Sequence, residues 1–302
     1  MTPQWHNVSG RILSATISTP DLKNTQALYA NCLRYNSASS GVVEKDLALS
    51  WGAPAMAGRP YVLMIPRSES TYALRLVETA PVADFTPMHT YGWGALELSV
   101  MDVEDVHAAV KKSAFRIIGA PRDIMFGAPV RPMQCTGPAR EALFLTQVLK
   151  TEHPEGPEMA RAFVDQLFIA ILATPDCEKA LTFYEKALGY RRGETFEIGY
   201  RSLNQAFGLA PDTPQSFTML QSPDGGIIQV DQYPKGAGVR PTQPGYLPPA
   251  ISMVSLVVPS LADVKADFLG PPFRSPTAPY DGRASAVVKG VAGEWIELVE
   301  AA

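Results

Sequence analysis

Thr19–Tyr35 reads TPDLKNTQALYANCLRY, and Thr174–Tyr190 reads TPDCEKALTFYEKALGY. Both carry T-P-D, a tyrosine eight residues after the aspartate (Tyr29, Tyr184), a leucine four further on (Leu33, Leu188) and a tyrosine two beyond that (Tyr35, Tyr190). An internal repeat fixes architecture before any single residue does. Each T-P-D follows a run rich in β-branched residues, Ile12 to Ile17 and Leu167 to Leu172, which reads as a strand. Proline stops the strand, and the aspartate stands where an N-cap accepts a backbone N–H of the first helical turn. In the second copy Cys177, Ala180, Leu181, Tyr184 and Leu188 form one apolar stripe at helical spacing, and Gly189 ends it.

Strand-like segments separated by turns follow each helix: Leu47 to Trp51, Tyr61 to Ile65 and Tyr72 to Val77 in the first copy, Phe196 to Arg201, Ser216 to Gln221 and Ile227 to Gln232 in the second. A fainter pair, SVMDVEDV (Ser99–Val106) and VVPSLADV (Val257–Val264), begins with strands at Ala95 to Val100 and Ser252 to Val258. These copies end with strands at Ala142 to Gln147 and Trp295 to Glu300. The chain therefore reads as four β-α-β-β-β modules, an α+β fold. Lys150 to Ala162, KTEHPEGPEMARA, interrupts the pattern with glycine, proline and charge. It predicts a linker (150–162) between an N-terminal domain (1–149) and a C-terminal domain (163–302), each of two modules.

The other properties restrict function. With 302 residues, 46% hydrophobic and 19% charged, the chain has enough apolar content for a sizeable core. A net charge of −4 without a basic run argues against nucleic acid or an anionic membrane as partner. The start, MTPQWHNVSGR, has no apolar segment of signal-peptide length, so a cytoplasmic location is expected. Three cysteines, Cys32, Cys135 and Cys177, with no C-x-x-C pair suit buried packing in a reducing compartment. Neither a phosphate-binding loop nor a G-x-S-x-G elbow is present.

TPDCEKALTFYEKALGY, within four such modules, resembles the vicinal oxygen chelate superfamily of glyoxalase I, extradiol dioxygenases, methylmalonyl-CoA epimerase and bleomycin-resistance proteins. The resemblance spans roughly residues 10–148 and 163–300. It implies that modules pair into two cupped mixed-sheet barrels whose concave faces hold the site. It also implies a divalent metal, held by a first-strand histidine, glutamine or glutamate and a last-strand glutamate. Counted from the D-L-like turns, the first-strand positions are Ser14, Ala95, Ile169 and Met253, and the last-strand positions are Arg75, Phe144, Gln229 and Glu297. Only Glu297 keeps a carboxylate, so no cofactor is predicted, with iron, zinc or manganese at other positions left open.

Strand alternation points Glu97 and Ser99 inward with Ala95, and likewise Arg75, Gln229 with Asp231, and Glu297. Glu97 on an apolar inner face is the candidate general acid or base, with Arg75 as its partner or as an anchor for an anionic substrate. Candidate substrate-binding residues are Ser14, His89, Trp93, Ser99, Phe144, Gln229, Asp231 and Glu297. His89, Tyr91 and Trp93 form a possible aromatic rim, with a packed inter-module turn as the alternative reading. Arg201 and Asn204, after Tyr200, stand either at the mouth of the second cup or, the preferred reading, on a plain solvated loop, and Cys135 reads as a buried hydrophobe. Three functions follow: a metal-independent lyase or isomerase acting on a small apolar or aromatic metabolite, a bleomycin-resistance-like binding protein, or a metal-dependent dioxygenase or glyoxalase using Glu97, Glu297 or His89. The partner is a small molecule, the chain a monomer or homodimer, and the N-terminal cup the expected site.

Overall fold

The computed structural model describes residues 12–70, 72–124, 129–149, 159–222 and 227–301. The first module comprises β1 (Ile12–Thr19), α1 (Leu22–Cys32), β2 (Asn36–Val42), α2 (Lys45–Ser50), β3 (Pro60–Ile65) and β4 (Ala73–Glu78). The second has β5 (Gly92–Val100), α3 (Val103–Val110), β6 (Arg116–Gly119), β7 (Val130–Thr136) and β8 (Ala142–Val148). The third runs β9 (Val164–Thr174), α4 (Cys177–Leu188), β10 (Arg191–Gly199), α5 (Arg201–Ala206), β11 (Pro214–Gln221) and β12 (Ile227–Gln232). The fourth holds β13 (Ala250–Val258), β14 (Phe273–Arg274), β15 (Ala284–Lys289) and β16 (Trp295–Glu300).

The T-P-D aspartates do what their position predicts. Asp21 accepts the backbone N–H of Asn24 at 3.0 Å, and Asp176 that of Lys179 at 3.1 Å. Gly189 closes α4 in the left-handed conformation at φ 71°. Two segments differ from the sequence reading. Leu47 to Trp51, expected as a strand, lies in α2 and its C-cap, because Leu47, Ala48 and Trp51 turn one helical face into the first cup. The fourth module has only a 3-10 turn, Leu261–Asp263, where a helix was expected, and Ser260 caps it through the N–H of Ala262.

The strands form two mixed eight-stranded sheets, in the orders β14-β15-β16-β13-β1-β4-β3-β2 and β10-β11-β12-β9-β5-β8-β7-β6. Module one therefore joins module four through β1 and β13, and module two joins module three through β5 and β9, both antiparallel. This corrects the expected arrangement of one cup per half. Each cup takes one module from either side of the linker, most of which (150–158) lies outside the described residues. The interface strands hold the reason: β1, β5, β9 and β13 are each apolar on the face away from the cup, so any two can pair and share a core.

That shared core lies between the sheets. Ala15 and Ile17 of β1, Leu96 and Leu98 of β5, Ala170 and Leu172 of β9, and Val254 and Leu256 of β13 belong to one buried cluster with α1, α3 and α4. The alternating residues face the two concave sides and form separate clusters. The repeated tyrosines tie the layers together: Tyr29 donates to Glu141 at 2.7 Å and Tyr184 to Glu294 at 3.2 Å. Each glutamate occupies the turn just before the last strand of the next module. Gly137 and Gly290 make room for them, since a Cβ at either would stand 1.9 Å from a carboxylate oxygen. Cys135 is fully buried in this core, as expected.

Candidate functional site

The two concave faces differ. In the module one and four sheet, Arg75 of β4 reaches Glu297 of β16 at 2.7 Å, and both are almost wholly excluded from solvent. Trp51 donates its indole N–H to Glu297 at 2.8 Å, Tyr280 and Ser255 donate their hydroxyls to the same carboxylate, and Arg75 also bonds Thr16 at 3.0 Å and the Tyr280 hydroxyl. Ser14 donates to Ser255 at 2.8 Å. Burial alone pushes Glu297 upward, but Arg75 and the surrounding donors hold it below the ordinary carboxylate range. Every polar group there is matched to another, and Trp51 and Tyr280 fill the remaining space. Ser14 and Glu297, expected to bind substrate, are committed to this internal network.

The module two and three sheet encloses a cavity of about 1020 Å³. Its walls are Phe144, Phe168, Ile169, Phe196, Phe217 and Met219, with Gln134 and Gln229 among them; Arg122, Asp123, Arg201 and Asp212 also line it. Arg201, at the start of α5, and Asp212 are both largely exposed at the cavity lining and form a 3.5 Å ion pair. Asn204 organises the loop after α5 from within, donating to the carbonyls of Pro211 and Thr213.

Glu97 lies on this concave face, 8% exposed and lining the cavity. The register places it opposite Ile169 on β9 and Phe144 on β8. Thr146, two residues along β8, donates its hydroxyl to Glu97 Oε1 at 2.6 Å. Burial pushes the Glu97 carboxyl up to about 7, with the Thr146 bond opposing. Beside it Gln229 donates to Asp231 at 2.7 Å, and Tyr200 bonds into the same group. Asp231 is likewise raised to about 7, by burial first and by the nearby Glu97 as well. Burial and these two carboxyls hold the Tyr200 phenol well above its ordinary value, so it stays a hydrogen-bond donor.

Of the sequence candidates, Glu97, Phe144 and Gln229 line the cavity, and Asp231 stands behind Gln229. Arg75 does not meet Glu97, because β4 lies between β1 and β3 of the other sheet. Ser99 shares Glu97's face but bonds the Gln166 carbonyl outside the cavity lining. Trp93 points into the layer between the sheets and donates to the Trp295 carbonyl at 2.7 Å. His89 stacks on Phe207 at 4.8 Å and bonds the carbonyls of Pro87 and Ala206, which makes it part of a packed turn. The site is thus neither the N-terminal cup nor the C-terminal one. Tyr200, Thr146, Gln134 and the phenylalanines other than Phe144 were missed; Phe196, Phe217 and Met219 had a detectable signal, because they fall at inward positions of predicted strands.

The donor set does not fit the divalent metal that the fold implies. At the facing positions one carboxylate, Glu97, stands among Ile169, Phe144 and the amide of Gln229, and in the other sheet a guanidinium already occupies Glu297. Among the described residues no group of three histidine, cysteine, aspartate or glutamate side chains converges on a point.

No family model and no curated protein matches the sequence. Solved structures share its fold. Glyoxalase I from Zea mays superposes with a TM-score of 0.64 over 97% of this chain and 92% of its own, at 16% identity. A putative dioxygenase from Bacillus subtilis superposes at 0.62 over 97% of this chain and 85% of its own, at 11% identity. At these identities the likeness concerns fold. The paired βαβββ modules, the cupped mixed sheets and this coverage together give the chain the vicinal oxygen chelate fold in its two-domain form.

Proposed function

We propose that the cavity between modules two and three binds a small apolar or aromatic metabolite and that Glu97 moves a proton on it, in an isomerase or lyase type of reaction. One observation carries this reading: the buried Glu97 carboxyl, raised to about 7, faces a cavity walled by phenylalanine and isoleucine. At neutral pH such a group is divided between acid and base forms, which is the condition for taking a proton from carbon and returning it. Thr146 holds the carboxyl by one oxygen. The apolar walls exclude water that would otherwise compete for the proton. No metal takes part in this scheme.

The test needs no known substrate. The protein is incubated in deuterium oxide with a panel of small aromatic and aliphatic ketones and aldehydes, and label at the carbon beside the carbonyl is followed by mass spectrometry. Wild type should catalyse exchange on at least one compound, with a rate rising through about pH 7, and Glu97→Gln should bind that compound but not exchange it. Exchange undiminished in Glu97→Gln would sink the assignment. Tight binding with every compound recovered unlabelled would instead support a protein that sequesters its ligand.

A further inference from the structure

Glu97 lines the aromatic cavity and Asp231 is buried beside it, behind the Gln229 amide; neither is ion-paired among the described residues. The contrast with Glu297, which has Arg75 against it, is direct. The groups that face Glu97 are Thr146 from β8, Ile169 from β9, Gln229 and Asp231 from β12, and Tyr200 at the start of α5; none is a cation. The buried Arg240 is spent elsewhere: it bonds the carbonyls of Trp93 and Ile251 and the Thr90 hydroxyl, and burial lowers it to about 10. Its charge lies against Tyr233, and it forms no ion pair with either carboxyl among the described residues. Two arginines line the cavity elsewhere: Arg201 pairs with Asp212 at 3.5 Å, and Arg122 adjoins Asp123, whose own ion pair is with Arg131 at 3.5 Å.

We propose that the ligand of this cavity is an organic cation, a protonated amine on an aromatic or apolar body, whose charge sits against Glu97, with the Asp231 carboxyl behind Gln229 adding to the negative field there. The proposal rests on the cavity being the ligand site. An ammonium group gains from Glu97 directly, from Asp231 at longer range through Gln229, and from the surrounding rings of Phe144, Phe168, Phe196, Phe217 and Tyr200, whose faces carry negative charge density. An anion meets uncompensated carboxyl groups, and a neutral alcohol gains only contact. Because the cation favours the ionised carboxylates, binding releases protons below about pH 7. Affinity therefore rises with pH up to that point and levels above it.

The test is calorimetric titration of the full chain with three probes of similar shape: 2-phenylethylamine, 2-phenylethanol and 3-phenylpropanoate, between pH 5.5 and 8. The amine is protonated throughout this range. At the upper end it should bind about tenfold or more tightly than either analogue, and its affinity should fall by up to about tenfold per unit below pH 7. Glu97→Gln and Asp231→Asn should each weaken the preference and flatten the profile while 2-phenylethanol binding is kept. Equal or tighter binding of the alcohol or the acid, a pH-independent amine affinity in wild type, or binding of none of the three would overturn the proposal. Wild type alone supplies these readings if a variant fails to fold. Proton exchange without amine preference would refute only this inference, and amine preference without exchange would refute only the acid–base assignment.

Discussion

Replacing Glu141 by glutamine should flatten the pH dependence of stability. Glu141 is fully buried; burial pushes its carboxyl from 4.5 up to about 7, against the opposing bond from Tyr29. Between those values the folded chain holds a proton that the unfolded chain has released. The stability tied to that proton is complete below about pH 4.5 and is lost as pH rises through about 7. At about 1.4 kcal/mol per unit, this one group removes about 2–3 kcal/mol of stability between pH 5 and pH 8. Glu294, raised to about 7 against Tyr184, adds a similar slope from the symmetry-related turn. The assay is urea unfolding at half-unit steps across this window for wild type, Glu141→Gln and Glu294→Gln. Any constant cost of placing an amide there shifts a whole curve and leaves its slope alone. Carboxylates that are lowered on folding, such as Glu297, contribute equally to all three chains and cancel in the difference. Parallel curves for wild type and Glu141→Gln, or a variant that loses more stability with rising pH than wild type, would refute the reasoning.

Two other perturbations separate the sheets and the site. Arg75→Met leaves the buried Glu297 charge without its cation, with only the neutral donors Trp51, Tyr280 and Ser255, and should cost about 3–5 kcal/mol in urea unfolding, yet leave probe binding in the other sheet's cavity unchanged; altered binding would show that the two faces are coupled. Thr146→Val removes the hydroxyl that favours ionised Glu97 and should raise its midpoint by about one unit, read by carbon-13 titration of the carboxyl; an unchanged or lower midpoint would show that the hydroxyl does not tune it.

Much of this fold is written locally. β12 and β16 begin and end where alternation in Ile227 to Gln232 and Trp295 to Glu300 predicts, and the aspartate caps form as the T-P-D repeats require. Alternation also assigned the concave faces: Glu97, Gln229, Asp231, Arg75 and Glu297 all stand on them, because a strand's period of two leaves no third choice. β2 escaped notice because NSASSGV has no apolar rhythm; it is an edge strand with solvent on both faces. The pairing of modules was not legible either. Register between β1 and β13 depends on surfaces more than 230 residues apart, and nothing near either strand encodes its partner. That missing knowledge displaced Arg75 from Glu97. Tyr200 was overlooked because it stands at the N-cap of α5, a place defined by neither period.

The nesting of the modules also bears on synthesis. One cup is closed within the other along the chain, like an inner bracket inside an outer one. The ligand-sized cavity is complete once β12 has been made, whereas β1, the first strand to be synthesised, lacks its antiparallel neighbour until β13 follows. For most of translation the first module presents an open sheet edge and an uncovered apolar face, the kind of surface that invites pairing with another chain. The polar threonine and serine positions of β1, Ser14, Thr16 and Ser18, lie on the opposite face and cannot shield it. The inner pair is free to mature early, and the outer pair bears the wait.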